Sequence, residues 1–200
     1  MRVIGLTGGI ATGKSSVAAY LARRGAVIID ADLLSREAVT PGSNGLKRIV
    51  ELFGSEVLQQ DGTLDRKRLG ALVFADCGRR KQLEQILHPE IRRLASERIA
   101  AAAAEGAEAV FYMAPLLIEA GADACVDEIW VVTVDPEIQL KRLMARDGLG
   151  RDAAERIVAT QMPLAEKARY GRVIIDNSSN LDELYRRLAD IWKHELEDGK

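Results

Sequence analysis

Apolar and polar positions follow two patterns along the chain. Short apolar or β-branched runs, bounded by turn or charged residues, predict buried strands at 3–6, 26–30, 109–113, 128–134 and 173–175. Longer stretches with apolar residues at helical spacing predict helices at 14–24, 46–53, 66–74, 79–105, 136–146, 151–162 and 181–197. Strands that alternate with helices favour an α/β fold, here a mostly parallel five-stranded sheet with helices on both faces.

The segment 31–105 departs from this alternation, because it holds several predicted helices and no convincing strand. It therefore predicts a helical insertion between two sheet strands, and such a block often covers a substrate. Pro89 is expected near the start of a helix, where its missing N–H costs little. A length of 200 residues suits one domain over 1–200, with a core of 1–30 and 107–197 and the insertion at 31–105.

The charged residues nearly balance, with 28 Lys plus Arg against 30 Asp plus Glu and a formal net charge of −2. This argues against a nucleic-acid binder that works by bulk electrostatics, although basic residues can still concentrate around a phosphate. The most apolar stretch, 109–126, is interrupted by Pro115, Glu119, Gly121 and Asp123, so no membrane span is expected. The first apolar run is too short for a signal-peptide core, and a cytoplasmic protein is expected.

Cys77 and Cys125 are the two cysteines of the chain. They are too few for a disulfide scaffold and match no metal-ligand spacing, which favours a reducing compartment. Both are expected to be packed apolar thiols.

The strongest chemical signal is the segment 8–15, Gly-Gly-Ile-Ala-Thr-Gly-Lys-Ser, which fully matches the phosphate-binding loop pattern. It follows a predicted strand and opens a predicted helix, an arrangement that directs backbone N–H groups and the positive helix end at a polyphosphate. Lys14 is expected against the β- and γ-phosphates of ATP, and Ser15 in the coordination shell of Mg²⁺. The alternative is a tight glycine turn with a solvated lysine. The expected nucleotide contacts are Gly9, Ala11, Thr12, Gly13, Lys14, Ser15 and Ser16.

Two carboxylates follow the second predicted strand in the sequence Asp30-Ala31-Asp32. Parallel α/β sheets present ligand-binding residues at the carboxyl ends of their strands. If the strand continues, both carboxylates share one side, one directed at the phosphoryl-transfer site and the other holding the loop. A carboxylate beside an attacking hydroxyl can orient it and accept its proton. The alternative is that both carboxylates cap a helix.

Four arginines follow the fourth predicted strand. Arg142 and Arg146 are one helical turn apart and face the same side, and Arg151 and Arg156 fall on the next helix. The arrangement is similar to a kinase lid, here at about 142–166, whose guanidinium groups neutralise charge on the γ-phosphate and exclude water. The alternative is a set of helix-surface charges at i,i+4 spacing.

Short motifs along the chain, from Arg2 to about Glu197, together resemble the dephospho-CoA kinase family. The resemblance implies a three-layer P-loop kinase that transfers the ATP γ-phosphoryl group to the 3′-hydroxyl of dephospho-CoA, the last step of coenzyme A synthesis. The motifs are Gly5-Leu6-Thr7-Gly8-Gly9-Ile10 with Lys14-Ser15, Asp30-Ala31-Asp32, Arg36, Pro41-Gly42, His88-Pro89 with Arg92, Pro115-Leu116-Leu117 with Glu119, and Asp176-Asn177.

The resemblance also implies roles for single residues. Asp32 takes the position of the presumed base, Lys14 and Arg142 act on the transferring group, and Arg146 and Asn177 join the nucleotide contacts. The positions that line the acceptor pocket are Thr7, Asp32, Arg36, His88, Arg92, Leu116 and Glu119.

From the residues alone, several of these assignments have alternatives. Arg36 and Arg92 suit the pyrophosphate of the acceptor, since guanidinium groups bind phosphate oxygens bidentately, but either also suits a surface salt bridge. His88 equally suits the entry to a helix, and Leu116 equally suits the core.

The sequence departs from the family's pattern at a few positions. Ala114 and Ile118 stand where the family usually has valine and phenylalanine, and Arg172 replaces an expected acidic residue. The third predicted strand also ends without the aspartate that many P-loop NTPases place there. Mg²⁺ is therefore expected to be held by Ser15, phosphate oxygens and water, with Asp32 as a further candidate.

Two other classes of protein fit part of the sequence. A GTP-driven switch needs Asp-x-x-Gly after the third strand and Asn-Lys-x-Asp for guanine, and neither occurs in place. A kinase of the same fold that acts on nucleoside monophosphates fits the insertion and the arginines equally well. Only the Asp-Ala-Asp and Pro-Leu-Leu motifs favour dephospho-CoA as the acceptor.

Overall fold

A computed structural model describes residues 1–74 and 76–198 of the chain. Its strands are β1 (Arg2–Gly8), β2 (Val27–Asp30), β3 (Ala109–Met113), β4 (Glu128–Thr133) and β5 (Val173–Asp176). They form one five-stranded parallel sheet in the order β2-β3-β1-β4-β5. The predicted α/β fold is therefore confirmed, and every strand lies where the hydrophobic pattern predicted it.

Helices connect the strands except between β3 and β4, where the described chain has only a short 3₁₀ helix, Ala122–Cys125. They are α1 (Lys14–Arg23), α2 (Ala31–Glu37), α3 (Asn44–Phe53), α4 (Arg66–Phe74), α5 (Cys77–Ala104), α6 (Pro136–Asp147), α7 (Arg151–Val158), α8 (Leu164–Lys167) and α9 (Leu181–Trp192). The hydrophobic pattern does not predict α2 and α8, which have only seven and four residues. The described chain divides into two compact units, one from Asp30 to Ala101 and the other containing the sheet.

One face of the sheet packs against α1 and α9. Phe111 and Trp130 meet edge to face at the centre of this core, with ring centroids 5.0 Å apart and an interplanar angle of 73°. On the opposite face, a Cβ atom on Gly5 would lie 2.5 Å from Cδ2 of Leu117. The strand β1 is thus held from both sides, and this fixes the point at which the loop 8–15 begins. The buried residues of the first face include Ile4, Leu6, Val17, Leu21, Phe111, Trp130, Val132, Ile175, Leu184 and Leu188.

Glu128 is the centre of an ion cluster on the sheet-containing unit. Its carboxylate lies 2.6 Å from a guanidinium nitrogen of Arg2 and 2.6 Å from one of Arg172, and it accepts a hydrogen bond from the Trp130 indole at 2.9 Å. Burial by itself raises the pKa of Glu128, but these hydrogen bonds outweigh it and hold the pKa below its ordinary range. The cluster therefore stabilises the ionised form in the folded state.

Glu128→Gln is expected to make the fold less sensitive to acid. A group with a lowered pKa in the folded state stabilises the fold above its unfolded pKa, about 4.3 for Glu, and loses that contribution as the pH falls through the folded value. The difference in the free energy of unfolding between about pH 5 and about pH 2.5 should therefore be smaller in the variant, by roughly 1 kcal/mol. Urea titrations at both pH values measure it, with Glu51→Gln, at an exposed position of α3, as the control. Equal losses in wild type and Glu128→Gln would contradict the expectation.

The unit Asp30–Ala101 has a core of its own. Leu58 and Leu64 form an isolated antiparallel bridge, and the described residues of this unit beyond Asp30 contain no strand, as predicted for the insertion. The buried core residues are Val39, Leu46, Ile49, Phe53, Val57, Leu64, Leu69 and Ile86.

Pro89 lies inside α5, a continuous helix of 28 residues. The prediction that it stands near the start of a helix is therefore wrong, and His88 before it is not a helix-entry residue. Proline in a helix interior removes one backbone hydrogen bond. Ile86 and Leu94, buried on either side of it, keep the helix packed across this defect.

Cys77 and Cys125 are both free and exposed, so the expectation of two packed thiols is wrong. Cys77 begins α5, and Cys125 ends a short 3₁₀ helix. Within residues 1–74 and 76–198, no helix combines the length and the apolar character needed to cross a bilayer.

Candidate active site

The loop 8–15 joins the end of β1 to the start of α1. Gly13 and Ala11 both have left-handed backbone conformations, with φ of 90° and 57°. A Cβ atom at Gly13 would lie 2.2 Å from Nδ2 of Asn177, and one at Gly8 would lie 2.4 Å from the carbonyl oxygen of Val132. The loop therefore needs glycine at both positions, as the sequence motif indicates.

The polar groups of the loop organise its backbone. The ammonium of Lys14 donates to the carbonyl oxygens of Gly8 and Gly9, each at 2.8 Å. The hydroxyl of Thr12, which is fully buried, donates to the same Gly9 oxygen at 2.9 Å. Helix α1 begins at Lys14, and its N-cap residue Gly13 offers no side-chain cap, so the first turn presents N–H groups and the positive end of the helix. This arrangement is suited to a bound polyphosphate.

Three amide side chains from distant parts of the chain hold the loop. Asn177, which is buried, follows β5 and donates to the carbonyl oxygen of Thr12 at 2.7 Å. Gln139, on α6, donates to the carbonyl oxygen of Ile10 at 2.8 Å, and Gln161 accepts from the Ile10 amide at 2.7 Å. The prediction from the residues missed Gln139, although it is a buried polar residue four positions before the buried Leu143 on the apolar side of α6.

The region predicted as a lid packs directly against the loop. Leu140, Leu143 and Ala154 of α6 and α7 form a small buried cluster, and the loop residues Ile10 and Ala11 pack against it. Asp135 caps α6, with its carboxylate accepting from two backbone amides, and Gly148 ends the helix in a left-handed conformation. These contacts connect α6 and α7 to the nucleotide loop.

The four arginines of this region lie in different surroundings. Nη1 of Arg142 is 4.0 Å from the position a Gly13 Cβ would take, and it is a buried side-chain nitrogen without a hydrogen-bond partner among the described residues. Arg146 pairs with Asp147 through two nitrogens, at 2.7 and 2.9 Å. Arg151 is paired with carboxylates at 2.6 and 2.8 Å, which raise its pKa, and Arg156 is exposed on α7. Arg142 is thus the arginine of this group that lies beside the loop with hydrogen-bonding capacity to spare.

The segment after β3 holds two of the predicted acceptor residues, Leu116 and Glu119, and lies beside a third, Thr7, near the end of β1. The hydroxyl of Thr7, fully buried, donates to the carbonyl oxygen of Pro115 at 3.4 Å. Leu117 is buried, whereas Leu116 is 45% exposed. Glu119 pairs with the ammonium of Lys167 at 2.9 Å. Burial by itself raises the pKa of Glu119, but the bonds from Lys167 and from backbone amides hold it below its ordinary range.

The remaining predicted residues lie in the unit Asp30–Ala101. The strand β2 ends at Asp30, whose carboxylate caps α2 by accepting from the Asp32 amide at 2.8 Å, so the continued strand considered from the sequence does not form. Asp32 and Arg36 are exposed on α2. His88 is partly buried in α5, and Nε of the exposed Arg92 donates to its carbonyl oxygen at 3.4 Å.

The residues beside the loop fit a magnesium ion shared with a nucleotide. Ser15 is exposed in the first turn of α1, and its hydroxyl is a hard oxygen ligand of the kind that Mg²⁺ accepts. Within the described ranges, no cluster of three or more His, Cys, Asp and Glu residues could hold a metal by itself. Phosphate oxygens and water would therefore supply the other ligands.

Comparison with known proteins gives one consistent family. A family model for dephospho-CoA kinase matches residues 2–183. The dephospho-CoA kinase of Geobacter metallireducens is 56% identical over 197 residues, which cover 98% of both chains. A solved structure from Thermus thermophilus has a TM-score of 0.83 at 35% identity over 97% of both chains. The dephospho-CoA kinase structure from Campylobacter jejuni has a TM-score of 0.76 at 27% identity, covering 99% of this chain and 98% of that one.

Proposed function

Because the chain belongs to the dephospho-CoA kinase family, we propose that its phosphate-binding loop, the arginine of α6 and the carboxylate of α2 divide the work of phosphoryl transfer. As an ATP-dependent kinase of this family, the protein transfers the ATP γ-phosphoryl group to the 3′-hydroxyl of dephospho-CoA and gives coenzyme A and ADP, the last step of coenzyme A synthesis. The GTP-driven switch and the nucleoside monophosphate kinase, both compatible with parts of the sequence, are therefore set aside.

On the nucleotide side, the loop binds the polyphosphate of ATP. Its backbone N–H groups and the ammonium of Lys14 stabilise negative charge on the β- and γ-phosphates, which increases as the bond to the leaving oxygen breaks. When bound, Mg²⁺ neutralises part of the same charge, and Ser15 is the residue of this chain that would hold it. The contacts with ATP are assigned to Gly9, Ala11, Thr12, Gly13, Lys14, Ser15 and Ser16.

Arg142 is assigned to the transferring group, with Arg146 and Asn177 as further nucleotide contacts. The support for Arg142 is its buried, unpartnered nitrogen beside Gly13, because an orphaned guanidinium nitrogen is stabilised when a phosphate oxygen accepts from it. Arg146 would have to exchange its partner Asp147 for the nucleotide. Asn177 already supports the loop from behind, so its influence on nucleotide binding includes this structural contact.

On the acceptor side, Asp32 is assigned as the base. It accepts the proton of the 3′-hydroxyl while the oxygen attacks the γ-phosphorus, and the bond from that phosphorus to the β,γ-bridging oxygen breaks, leaving ADP. Arg36 and Arg92 are assigned to the pyrophosphate of the acceptor, to which guanidinium groups bind bidentately. The other acceptor residues are Thr7, His88, Leu116 and Glu119.

The observation that carries the proposal is the loop itself, a full motif in the backbone conformation that its glycines require and between the strand and helix that it needs. A test supplies the protein with MgATP and, in parallel, dephospho-CoA, AMP, CMP or buffer alone, and follows the release of ADP. Release is expected to rise about 100-fold or more over buffer with dephospho-CoA only, because a bound acceptor converts slow hydrolysis into positioned transfer. Equal release with AMP or CMP would contradict the acceptor assignment. Chelation of Mg²⁺ by EDTA in the dephospho-CoA reaction is expected to abolish release.

The substrate is a small molecule, and the near-neutral net charge of −2 gives no general attraction to nucleic acid. The two free, exposed cysteines are compatible with a reducing compartment. Together with the family's reaction, they support a cytoplasmic location.

A further inference from the structure

Lys167 is a fully buried lysine that the proposed reaction does not use. It is the last residue of α8, and its ammonium donates to the carbonyl oxygen of Pro115 at 2.7 Å. The same nitrogen lies 2.9 Å from Oε1 and 3.2 Å from Oε2 of Glu119. A buried ammonium is costly unless it is paired and hydrogen-bonded, and here three oxygens of one short segment satisfy it.

The partners of Lys167 all belong to the segment 115–119, which directly follows β3. The carbonyl oxygen of Pro115 also accepts from the Thr7 hydroxyl at 3.4 Å, and Oε1 of Glu119 accepts from the backbone amide of Met162 at 3.1 Å. Both ends of the segment are therefore fixed by polar contacts. Between these ends, Leu117 is anchored in the core and Leu116 is left exposed.

The same stretch of chain that carries Lys167 also contacts the nucleotide loop. Gln161 accepts from the amide of Ile10 at 2.7 Å. The next residue, Met162, donates its backbone amide to Glu119. The stretch 161–167 thus bonds to the loop at its start and to the segment 115–119 at Met162 and Lys167. Apolar residues of similar volume often replace a buried ion pair without loss of stability. Stability alone therefore does not explain why a lysine stands here, between the loop and the segment 115–119.

We propose that Lys167 is a positioning residue, which holds the segment 115–119 in the conformation that presents Leu116 to the acceptor. This rests on the proposed function, in which that segment contributes to the acceptor pocket. Both carboxylate oxygens of Glu119 bond to Lys167, so the acceptor role assigned to Glu119 above is exerted through the position of the segment and not through direct contact.

Lys167→Met is the direct test, because methionine fills a similar volume and removes the donor. The KM for dephospho-CoA is expected to rise about tenfold, the effect of losing a buried charged hydrogen bond, whereas the KM for ATP changes by less than about twofold. Lys193→Met, the same substitution at an exposed position of the helical turn after α9, is the control and should leave both constants unchanged.

A second variant separates positioning from stability. Lys167→Met leaves the Glu119 carboxylate without its cation, and this is expected to lower the melting temperature. The double variant Lys167→Met with Glu119→Gln leaves no such unpaired charge, so its melting temperature should recover towards wild type while the KM for dephospho-CoA stays high. Recovery of both together would overturn the proposal, as would equal increases in the two KM values of Lys167→Met.

The wild-type reaction distinguishes failure of this inference from failure of the proposed function. If the wild type releases ADP only with dephospho-CoA and Lys167→Met has an unchanged KM for it, the positioning role is wrong and the proposed function stands. If the wild type shows no dependence on dephospho-CoA, the proposed function fails first, and the positioning role fails with it.

Discussion

Lys14→Ala is expected to lower kcat about 100- to 1,000-fold at saturating ATP and dephospho-CoA. In the proposed mechanism the ammonium is a compact positive charge next to the group being transferred, and negative charge on that group is greatest in the transition state. Alanine carries no charge and cannot replace it. The effect should therefore appear in kcat more than in the KM for ATP.

The measurement is initial-rate kinetics of ADP release with both substrates varied. Lys193→Ala, which removes a lysine at an exposed position of the turn after α9, is the matched control and should retain wild-type kinetics. Because Lys14 also bonds to the carbonyl oxygens of Gly8 and Gly9, the melting temperature is measured in parallel to detect damage to the loop. A Lys14→Ala protein that folds normally and turns over at a near-normal rate would refute its role.

Asp32→Asn is expected to lower kcat about 100- to 10,000-fold. Asparagine keeps the shape of the side chain and its capacity to orient a hydroxyl, but it cannot accept the proton of the 3′-hydroxyl. The KM for dephospho-CoA should change little by comparison.

Asp30→Asn is an internal control, because Asp30 lies two residues before Asp32 and is the N-cap of the same helix. Asp30 caps α2 through a carboxylate oxygen that accepts from the Asp32 amide, and the oxygen of an asparagine side chain does the same. Its kinetics should therefore match the wild type. Similar losses in the two variants, or unchanged turnover in Asp32→Asn, would show that Asp32 is not the base.

The fold could be predicted wherever short-range patterns decide the structure. The strand 3–6 is continuously apolar, as a strand buried on both faces requires, and the matching run at 173–175 became β5 for the same reason. The hydrophobic pattern did not predict the helix α2, whose start is set by a hydrogen bond that the Asp32 amide donates to the carboxylate of Asp30; this is the capping alternative that the sequence left open. The prediction that Pro89 stands near the start of a helix was wrong because tertiary packing stabilises α5 on both sides of this proline, whose local preference opposes a helix interior.

In the candidate site, too, local features could be predicted from the sequence and long-range contacts could not. The loop 8–15 could be predicted because all its parts are adjacent in sequence and glycine has a direct conformational meaning there. Gln139 and Lys167 could not, because their partners Ile10 and Pro115 are 129 and 52 residues away along the chain. A single glutamine or lysine on a helix carries no pattern of its own. The roles of Arg36 and Arg92 are predictions that follow from the family resemblance.

The left-handed backbone of Ala11 restricts which residues this position tolerates during evolution or design. Valine, isoleucine and threonine are strongly disfavoured there, because a branched Cβ clashes with the backbone in that conformation. Glycine would relieve the strain, but it would give up the methyl group that packs against the cluster of α6 and α7. Alanine is thus a compromise between backbone strain and side-chain contact.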